Sequence, residues 1–405
     1  MSVPLPPSRA REAVLAEVVP TPQETVPLEA CLGRVTAAET RSPLALQPFD
    51  NSAMDGYALR STDTAELGPL RLVGESRAGH PAVSGPGAGE AVWISTGAML
   101  PAGADAVLPV EDAREEEGAV LPARAVAPGE NVRRAGEDVG PGEKLVPAGT
   151  RIGPAEIAVL AAAGFAELEC ARRPTVAVFS SGDELVPPGE PLGPGQIHDS
   201  NRAALGAQIL EAGAAPDGGG RLPDEPAAAR EALAAALDRD FLLIAGGVSV
   251  GRHDHVKAAL GELDVEERFW RVAMRPGGPT WFGVLPRGAG ERPTLVFGLP
   301  GNPVSAMVTF HLFAGPALRA AVGLAPLPPA MRATLVEGYA KKPGKAHYLR
   351  ARLELTAEGW RAHLTRERQG SHVLTSMLGA DALAVIPAEA EEVPAGGTVE
   401  VELLR

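Results

Sequence analysis

The sequence predicts a multidomain α/β plus β protein, in which a parallel α/β sandwich follows a β-rich insertion and precedes a second β-rich unit. Three observations carry that reading. The chain has 405 residues, beyond the roughly 250–300 at which a single core stops growing. Between residues 173 and 325, apolar strand-like runs alternate with segments of helical period, the pattern of βαβ units whose parallel sheet is covered on both faces. Between 41 and 146, short β-prone pieces such as "RLVGES", "AVWIST" and "DAVLPVED" are separated by Gly, Pro and Asp, at the spacing of about eight to twelve residues that marks small β domains.

In chain order, "SRAREAVLAEVV" and "PLEACLGRVTAAE" read as helical, and "SPLALQPFDNSAMDGYAL" breaks the pattern near Arg41. "GPAEIAVLAAAGFAELEC" restores helical period after residue 149, with Pro154 near its start and Gly164 near its end. Packing of that helix with the N-terminal ones would make 41–146 an insertion in a discontinuous helical linker unit, 1–40 with 147–172. The α/β unit, 173–325, then runs through the strand "RPTVAVFSS", the helices "SNRAALGAQILEAG" and "EPAAAREALAAAL", the strand "FLLIAGG", the helix "HDHVKAALGEL" and the strand "TLVFGLP" before a long helix. "LAPLPPA" is a linker, and 330–405 reads as short alternating strands.

A formal net charge of −14 and a pI near 5.2 exclude a generally basic, nucleic-acid-binding surface. An anionic ligand then requires a local cationic pocket or a metal ion. Cys31 and Cys170 are far apart in sequence and without CxxC spacing, so neither a disulfide scaffold nor a thiolate zinc site is indicated. The N-terminus has no apolar run behind a basic start, and charges or Pro interrupt each apolar helix before it reaches the roughly 20 residues of a membrane span. A cytoplasmic protein without membrane contact is expected.

"FSSGDELV" (179–186), "GGVSVGRHD" (246–254) and "GLPGNPVS" (298–305) share one grammar: an apolar strand, a glycine turn, then polar groups at the next helix start. In open parallel sheets that edge binds ligands, because free N–H groups and missing Cβ atoms let an anion approach the backbone. No Walker A or GxGxxG pattern occurs, which argues against a P-loop NTPase or a dinucleotide enzyme. Carboxylates accompany the loops: Asp183 and Glu184, Asp224 in "RLPDEP", and Asp254, with Lys257 one helical turn on as its expected partner. Hard oxygens beside a phosphate suit Mg²⁺, although Asp224 and Asp254 suit helix N-caps equally. Arg271 and Arg275 stand four apart, and "HYLRARLEL" and "GSHVLTS" bring further candidates for an oxyanion. The four asparagines, Asn51, Asn131, Asn201 and Asn302, all stand in glycine-, serine- or aspartate-rich loops. "PFDNSAMDGYAL", "ISTGAMLPAGADAVLPVED" and "ENVRRAGEDVGPGEKL" carry dense polar residues inside the insertion and read as contact loops.

The ordered set "PFDNSAMDGYA", "STGAMLPAGADAV", "NVRRAGEDV", "SSGDELV", "GQIHDSN", "GGVSVGRHD", "VAMRPGGP", "GLPGNPVS" and "QGSH" spans nearly the whole chain and resembles the molybdopterin molybdenumtransferases, the MoeA and gephyrin E-domain family. The resemblance implies an elongated homodimer, an α/β domain like the molybdopterin-adenylyltransferase fold, and a small C-terminal β-barrel. It implies insertion of molybdate into adenylylated molybdopterin with Mg²⁺-dependent release of AMP, downstream of a molybdopterin adenylyltransferase. Carried over by motif, Asp55, Thr96, Asp138, Glu184, Asp224 and Asp254 are catalytic, and Glu184, Asp224 and Asp254 serve the metal. Ser181, Gly182, Gly246, Gly247, Ser249, Gly251, Pro300, Gly301 and Asn302 hold pterin and phosphates, while Arg271, Arg275, Arg350 and Ser371 face the oxyanion or phosphates. Asp55 and Thr96 reach the α/β site of the other subunit, giving a composite site. Gly278 stands where the family commonly has a lysine, with Arg275 as the compensating cation. Two other readings use the same features: a nucleotide pyrophosphatase or adenylyltransferase built on the α/β domain, and a dimeric peptide-binding scaffold.

Overall fold

A computed structural model describes residues 3–247, 255–288 and 290–404. At its centre is a six-stranded sheet in the spatial order Ala215–Leu222, Thr175–Ser181, Phe241–Ala245, Thr294–Leu299, Trp281–Leu285, Glu266–Trp270. Every residue of Phe241–Ala245 is buried, as expected of a central parallel strand. The period of two divides it between two cores. Phe241, Leu243 and Ala245 join Val176, Val178, Leu295, Phe297 and Leu299 under the helices Ser200–Glu211 and Pro303–Thr309. Leu242 and Ile244 join Ala177, Phe179 and Val296 under the helices Pro226–Ala234 and His255–Glu262.

The sheet is mixed rather than wholly parallel. Its first four strands in spatial order are parallel, but Trp281–Leu285 pairs antiparallel with both Thr294–Leu299 and Glu266–Trp270. These strands are joined by turns, without crossover helices, so neither connection demands a parallel neighbour.

The N-terminal helix, Pro7–Ala16, departs from the expected packing: Ala10 and Val14 enter the α/β core, and Arg11 bonds to Glu402 and to the carbonyl of Leu312. The segment after it is not helical. Gln23–Pro27 is a strand paired with Glu167–Ala171, followed by a single 3₁₀ turn over Leu28–Ala30. Tertiary pairing overrides the local helical period there. Cys31 and Cys170, 139 positions apart in the numbering, meet in the small core formed with Val26, Leu28, Ile152, Leu160 and Leu168. Burial, with Cys31 alongside, raises the Cys170 thiol to about 11.

The chain enters and leaves the β-rich insertion through Thr40–Arg41 paired with Lys144–Val146, and the insertion is built on its own six-stranded sheet. The C-terminal unit is a closed five-stranded barrel of Met331–Leu335, Ala346–Thr356, Gly359–Leu364, Ala382–Ile386 and Gly397–Leu403. Small residues, among them Ala333, Ala351, Ala362, Ala382 and Ala384, fill much of its interior. The strand Met274–Arg275 pairs with its long strand at Ala346 and His347, fastening the barrel to the α/β unit. Among the described residues no helix is long and apolar enough to cross a membrane.

Candidate functional site

From Thr175–Ser181 the chain first crosses to a strand on one side, then returns to Phe241–Ala245 on the other. The crevice beyond the carboxyl ends of these two strands is the topological switch point, where open α/β sheets bind ligands. A cavity of about 530 Å³ lies there, lined by Ser181, Glu184, Asn201, Gly246, Gly247, Pro279, Pro300, Gly301 and Asn302, with others. Two glycines have no substitute. Gly246 and Gly247 take φ of +89° and +68°, and a Cβ would stand 2.8 Å from the Ser181 carbonyl oxygen at the first and 2.7 Å from Val256 Cγ2 at the second. Opposite charge and capping fix the next wall: the buried Ser180 Oγ donates to Asp199 Oδ2 at 2.6 Å, and Asp199 Oδ1 accepts from the Arg202 N–H at 3.1 Å. Asp199 thereby caps Ser200–Glu211 and places Asn201 on the cavity.

Glu184 lies on that cavity, and Asp183 and Asp224 gather beside it from the loops after two neighbouring strands. Asp224 is held above the ordinary carboxylate range, first by its hydrogen bond with Asp183, then by burial and the charges of Asp183 and Glu184, against an opposing pull from Arg221. The capping reading of Asp224 is excluded, because Glu225 caps the following helix, accepting from the N–H groups of Ala227 and Ala228. Asp254, Ser249 and Gly251 lie outside the described residues. Among the described residues, no three histidine, cysteine or acidic groups are arranged to hold a metal ion by themselves.

The barrel meets the cavity wall at Asn302, whose Nδ2 donates to Ser371 Oγ at 3.1 Å, although Ser371 itself is not among the cavity-lining residues. Arg350 does not face a ligand as expected. It is fully buried, donating to Ser376 Oγ at 3.0 Å, the Tyr348 carbonyl at 3.1 Å and the Gly370 carbonyl at 3.4 Å, and burial lowers it to about 10. Its place is beneath the loop that carries Ser371. Arg271, in the left-handed region at φ +75°, stacks 4.4 Å over the Trp270 ring and is not among the cavity-lining residues. Lys257 covers the same ring at 3.7 Å and pairs with Glu267 at 3.2 Å; its expected partner Asp254 lies outside the described residues. Arg275 is exposed at the barrel seam, where it joins Lys341 and Lys345 in depressing His347 to about 4, after burial as the main cause. A Cβ at Gly278 would stand 3.3 Å from the Met274 carbonyl oxygen, and the adjoining Pro279 lines the cavity.

In the insertion, Asp55 Oδ1 accepts from both the Thr96 N–H at 2.6 Å and Thr96 Oγ1 at 2.9 Å, bonds that hold its carboxyl below the usual range. Two of the expected contact loops pair directly, Asn51–Ser52 with Val132–Arg133, and Asp50 accepts from Arg134 at 2.6 Å. Asp138 is exposed in the turn that follows. Asp55, Thr96 and Asp138 are not among the residues lining the α/β cavity of their own chain. Residues that the motifs underweighted are Asp183 and the buried pair Ser180 and Asp199; the only local signal for the pair is "HDSN" placed one strand and turn after "SSGDEL".

Three family models cover the chain: "MoeA N-terminal region (domain I and II)" over residues 5–164, "Probable molybdopterin binding domain" over 177–320, and "MoeA C-terminal region (domain IV)" over 332–404. Over 399 residues the chain is 35% identical to the molybdopterin molybdenumtransferase of Haemophilus influenzae, covering 97% of each. The chain belongs to the MoeA family. It is also 38% identical over 390 residues to molybdopterin molybdenumtransferase 2 of Mycobacterium tuberculosis, covering 93% of this chain and 94% of the relative. Among solved structures it is similar to a MoeA protein crystal structure from Pyrococcus horikoshii, with a TM-score of 0.82 at 29% identity, covering 99% of this chain and 100% of that one. The MoeA fold thus accounts for the barrel, the insertion and the mixed α/β sheet together.

Proposed function

We propose that this MoeA-family chain is a transferase of molybdenum cofactor biosynthesis that inserts molybdate into adenylylated molybdopterin and releases AMP. The observation that carries the reading is the cavity at the sheet's switch point, with glycine walls and a carboxylate cluster of Asp183, Glu184 and Asp224. The two relatives named molybdopterin molybdenumtransferase above agree with it.

The donor set suits Mg²⁺. All three groups are hard carboxylates, and the raised proton affinity of Asp224 marks negative charge that Arg221 does not fully offset. Glu184, Asp183 and Asp224 would hold the ion together with substrate phosphates, and it would neutralise charge on the phosphoanhydride. The chain's own groups do the rest. Gly246 and Gly247 let the ligand approach the backbone. Asn302 and Ser371 position molybdate, with Arg275, Lys341 and Lys345 supplying positive charge at the seam. Acceleration comes from bringing two anions together, without a covalent protein nucleophile.

A second copy of the chain completes the site in this reading. The Asp55–Thr96 pair is exposed, away from its own cavity, and flanked by the exposed apolar side chains of Phe49, Met54 and Met99, as a surface built for a partner is. Side-by-side free thiols at Cys31 and Cys170 suit a reducing, cytoplasmic compartment. The test is purified protein with adenylylated molybdopterin, Mg²⁺ and molybdate, following AMP and mature cofactor together. AMP release that requires molybdate supports the proposal; release indifferent to molybdate, or consumption of ATP, supports a pyrophosphatase or adenylyltransferase instead.

A further inference from the structure

A second cavity, of about 430 Å³, lies away from the sheet's switch point and shares no lining residue with the first. It opens where the end of the helix Ser200–Glu211, the helix Gly315–Ala321, the proline-rich linker and the last barrel strand meet, and its volume is within the range of small-molecule sites. Phe310, Pro316, Leu327, Pro328 and Leu403 supply an apolar wall. A turn of π-helix over Phe310–Ala314 carries Phe310 and His311 in that wall, and such turns recur at functional sites.

Arg151 and Arg319 stand in the same wall. The chain has 51 acidic residues against 37 lysines and arginines, yet neither of these two arginines has a carboxylate partner among the described residues. Arg319 is half-buried. Its Nε donates to the Ala325 carbonyl at 2.9 Å, while its two Nη atoms make no hydrogen bond and are not sealed from solvent. Burial, then the charge of Arg151, lowers its proton affinity, so the two guanidiniums lie close enough to repel. Their neighbours do not relieve that repulsion. Glu211 is the one carboxylate among the lining residues, and it makes no ion pair with either. His311 is neutral, burial holding it at about 4, and Glu402 beside it is bound to Arg11.

Guanidinium forks with free N–H groups beside an apolar wall are complementary to an oxyanion on an apolar body. A phosphate monoester brings about two negative charges, one for each arginine, whereas a single carboxylate would leave one of the pair unmatched. We propose that this cavity is a second ligand site, distinct from the switch point, which binds a small organic phosphate monoester. Arg151 and Arg319 take the phosphate, Phe310, Pro316 and Leu327 take its apolar body, and Glu211 opposes the charge and so sets the affinity.

The probe is phenyl phosphate, titrated calorimetrically against the full chain, with phenol as the same apolar body without the charge. The wild type should bind phenyl phosphate at a saturable site and phenol not measurably. Loss of one charged contact should weaken binding at least about tenfold in Arg319→Gln and, should that variant unfold, in Arg151→Gln, whose side chain is exposed. Glu211→Gln should tighten binding about threefold or more, a gain that a merely structural role of the arginines does not give. Glu184→Gln, in the switch-point cavity, should leave it unchanged. No saturable binding, unchanged affinity in the folded arginine variants, or no gain in Glu211→Gln would each overturn the proposal. So would binding lost in Glu184→Gln alone, which would place the probe in the switch-point cavity. Because the readout is binding, a failure of molybdate-dependent AMP release sinks the reaction and leaves this site standing.

Discussion

Replacing Arg350 with Met separates two roles, the contact with the oxyanion that the family resemblance implies and the support of the barrel loop that the structure shows. The guanidinium is fully buried and donates to Ser376 Oγ, the Tyr348 carbonyl and, more weakly at 3.4 Å, the Gly370 carbonyl. Hydrogen bonds from a charged donor contribute about 1.5–3 kcal/mol each, so the set is worth about 5 kcal/mol. Against this stands burial of the charge, which lowers the guanidinium to about 10, a fall that corresponds to about 3 kcal/mol at 1.36 kcal/mol for each pH unit. The hydrogen bonds win by about 2 kcal/mol, and Arg350→Met should destabilise the barrel by that order. Because Gly370 adjoins Ser371, the loop should loosen and Ser371 should lose its hold on Asn302. Amide exchange across residues 369–376 should accelerate several-fold, and the molybdate concentration for half-maximal AMP release should rise while the α/β unit melts as before. A variant with unchanged exchange and unchanged melting, but no response to molybdate, would refute the supporting role and restore direct contact.

Other predictions follow the same physics. His311 and His347 are each depressed to about 4, mainly by burial; a depressed group contributes stability that is present above its unfolded value of 6.5 and lost as pH falls towards 4. His311 contributes up to about 3 kcal/mol over that window and His347, which solvent screens more, less than that, so the thermal midpoint should drop between pH 6.5 and 4, and His347→Phe should flatten the slope by up to about one proton. Asp224 lies above the ordinary range because of Asp183, so the repulsion is absent below the unfolded value and grows as pH rises through the folded one. Asp224→Asn should therefore raise the melting temperature of the free protein at pH 8 and leave it unchanged at pH 3, as scanning calorimetry can check. Cys170, raised to about 11 and buried beside Cys31, should resist alkylation by iodoacetamide in the native protein, whereas both thiols should react in urea. Rapid native labelling would contradict that packing.

The central α/β unit was legible because its signal is local. The run Phe241–Ala245 is apolar on both faces, and the glycine turn after it has no room for a Cβ. The same holds for the carboxylates that close on the cavity, since Asp183, Glu184 and Asp224 each follow the end of a strand in one sheet. What stayed hidden depends on contacts between distant segments. Residues 28–40 carry a helical period, but Gln23–Pro27 and Thr36 are drawn into pairing with the strand around Cys170. The family resemblance places Arg350 on the ligand; the first six residues of Ala346–Thr356 are in fact all buried, because that strand is wedged between the α/β core and the barrel interior. The antiparallel edge of the sheet was missed because its strands flank a cationic, proline- and glycine-rich turn that reads as ligand contact.

The measurement that bears most directly on the carboxylate cluster is the Mg²⁺ dependence of molybdate-driven AMP release in Asp183→Asn, Glu184→Gln and Asp224→Asn, each checked for an intact fold. The account predicts that every variant needs at least about tenfold more Mg²⁺ for half-maximal rate, a loss of about 1.4 kcal/mol or more in ion binding, with the double variant of Asp183 and Asp224 falling short of the sum because the two side chains are in direct contact. Mg²⁺ curves that superimpose on the wild type would contradict it.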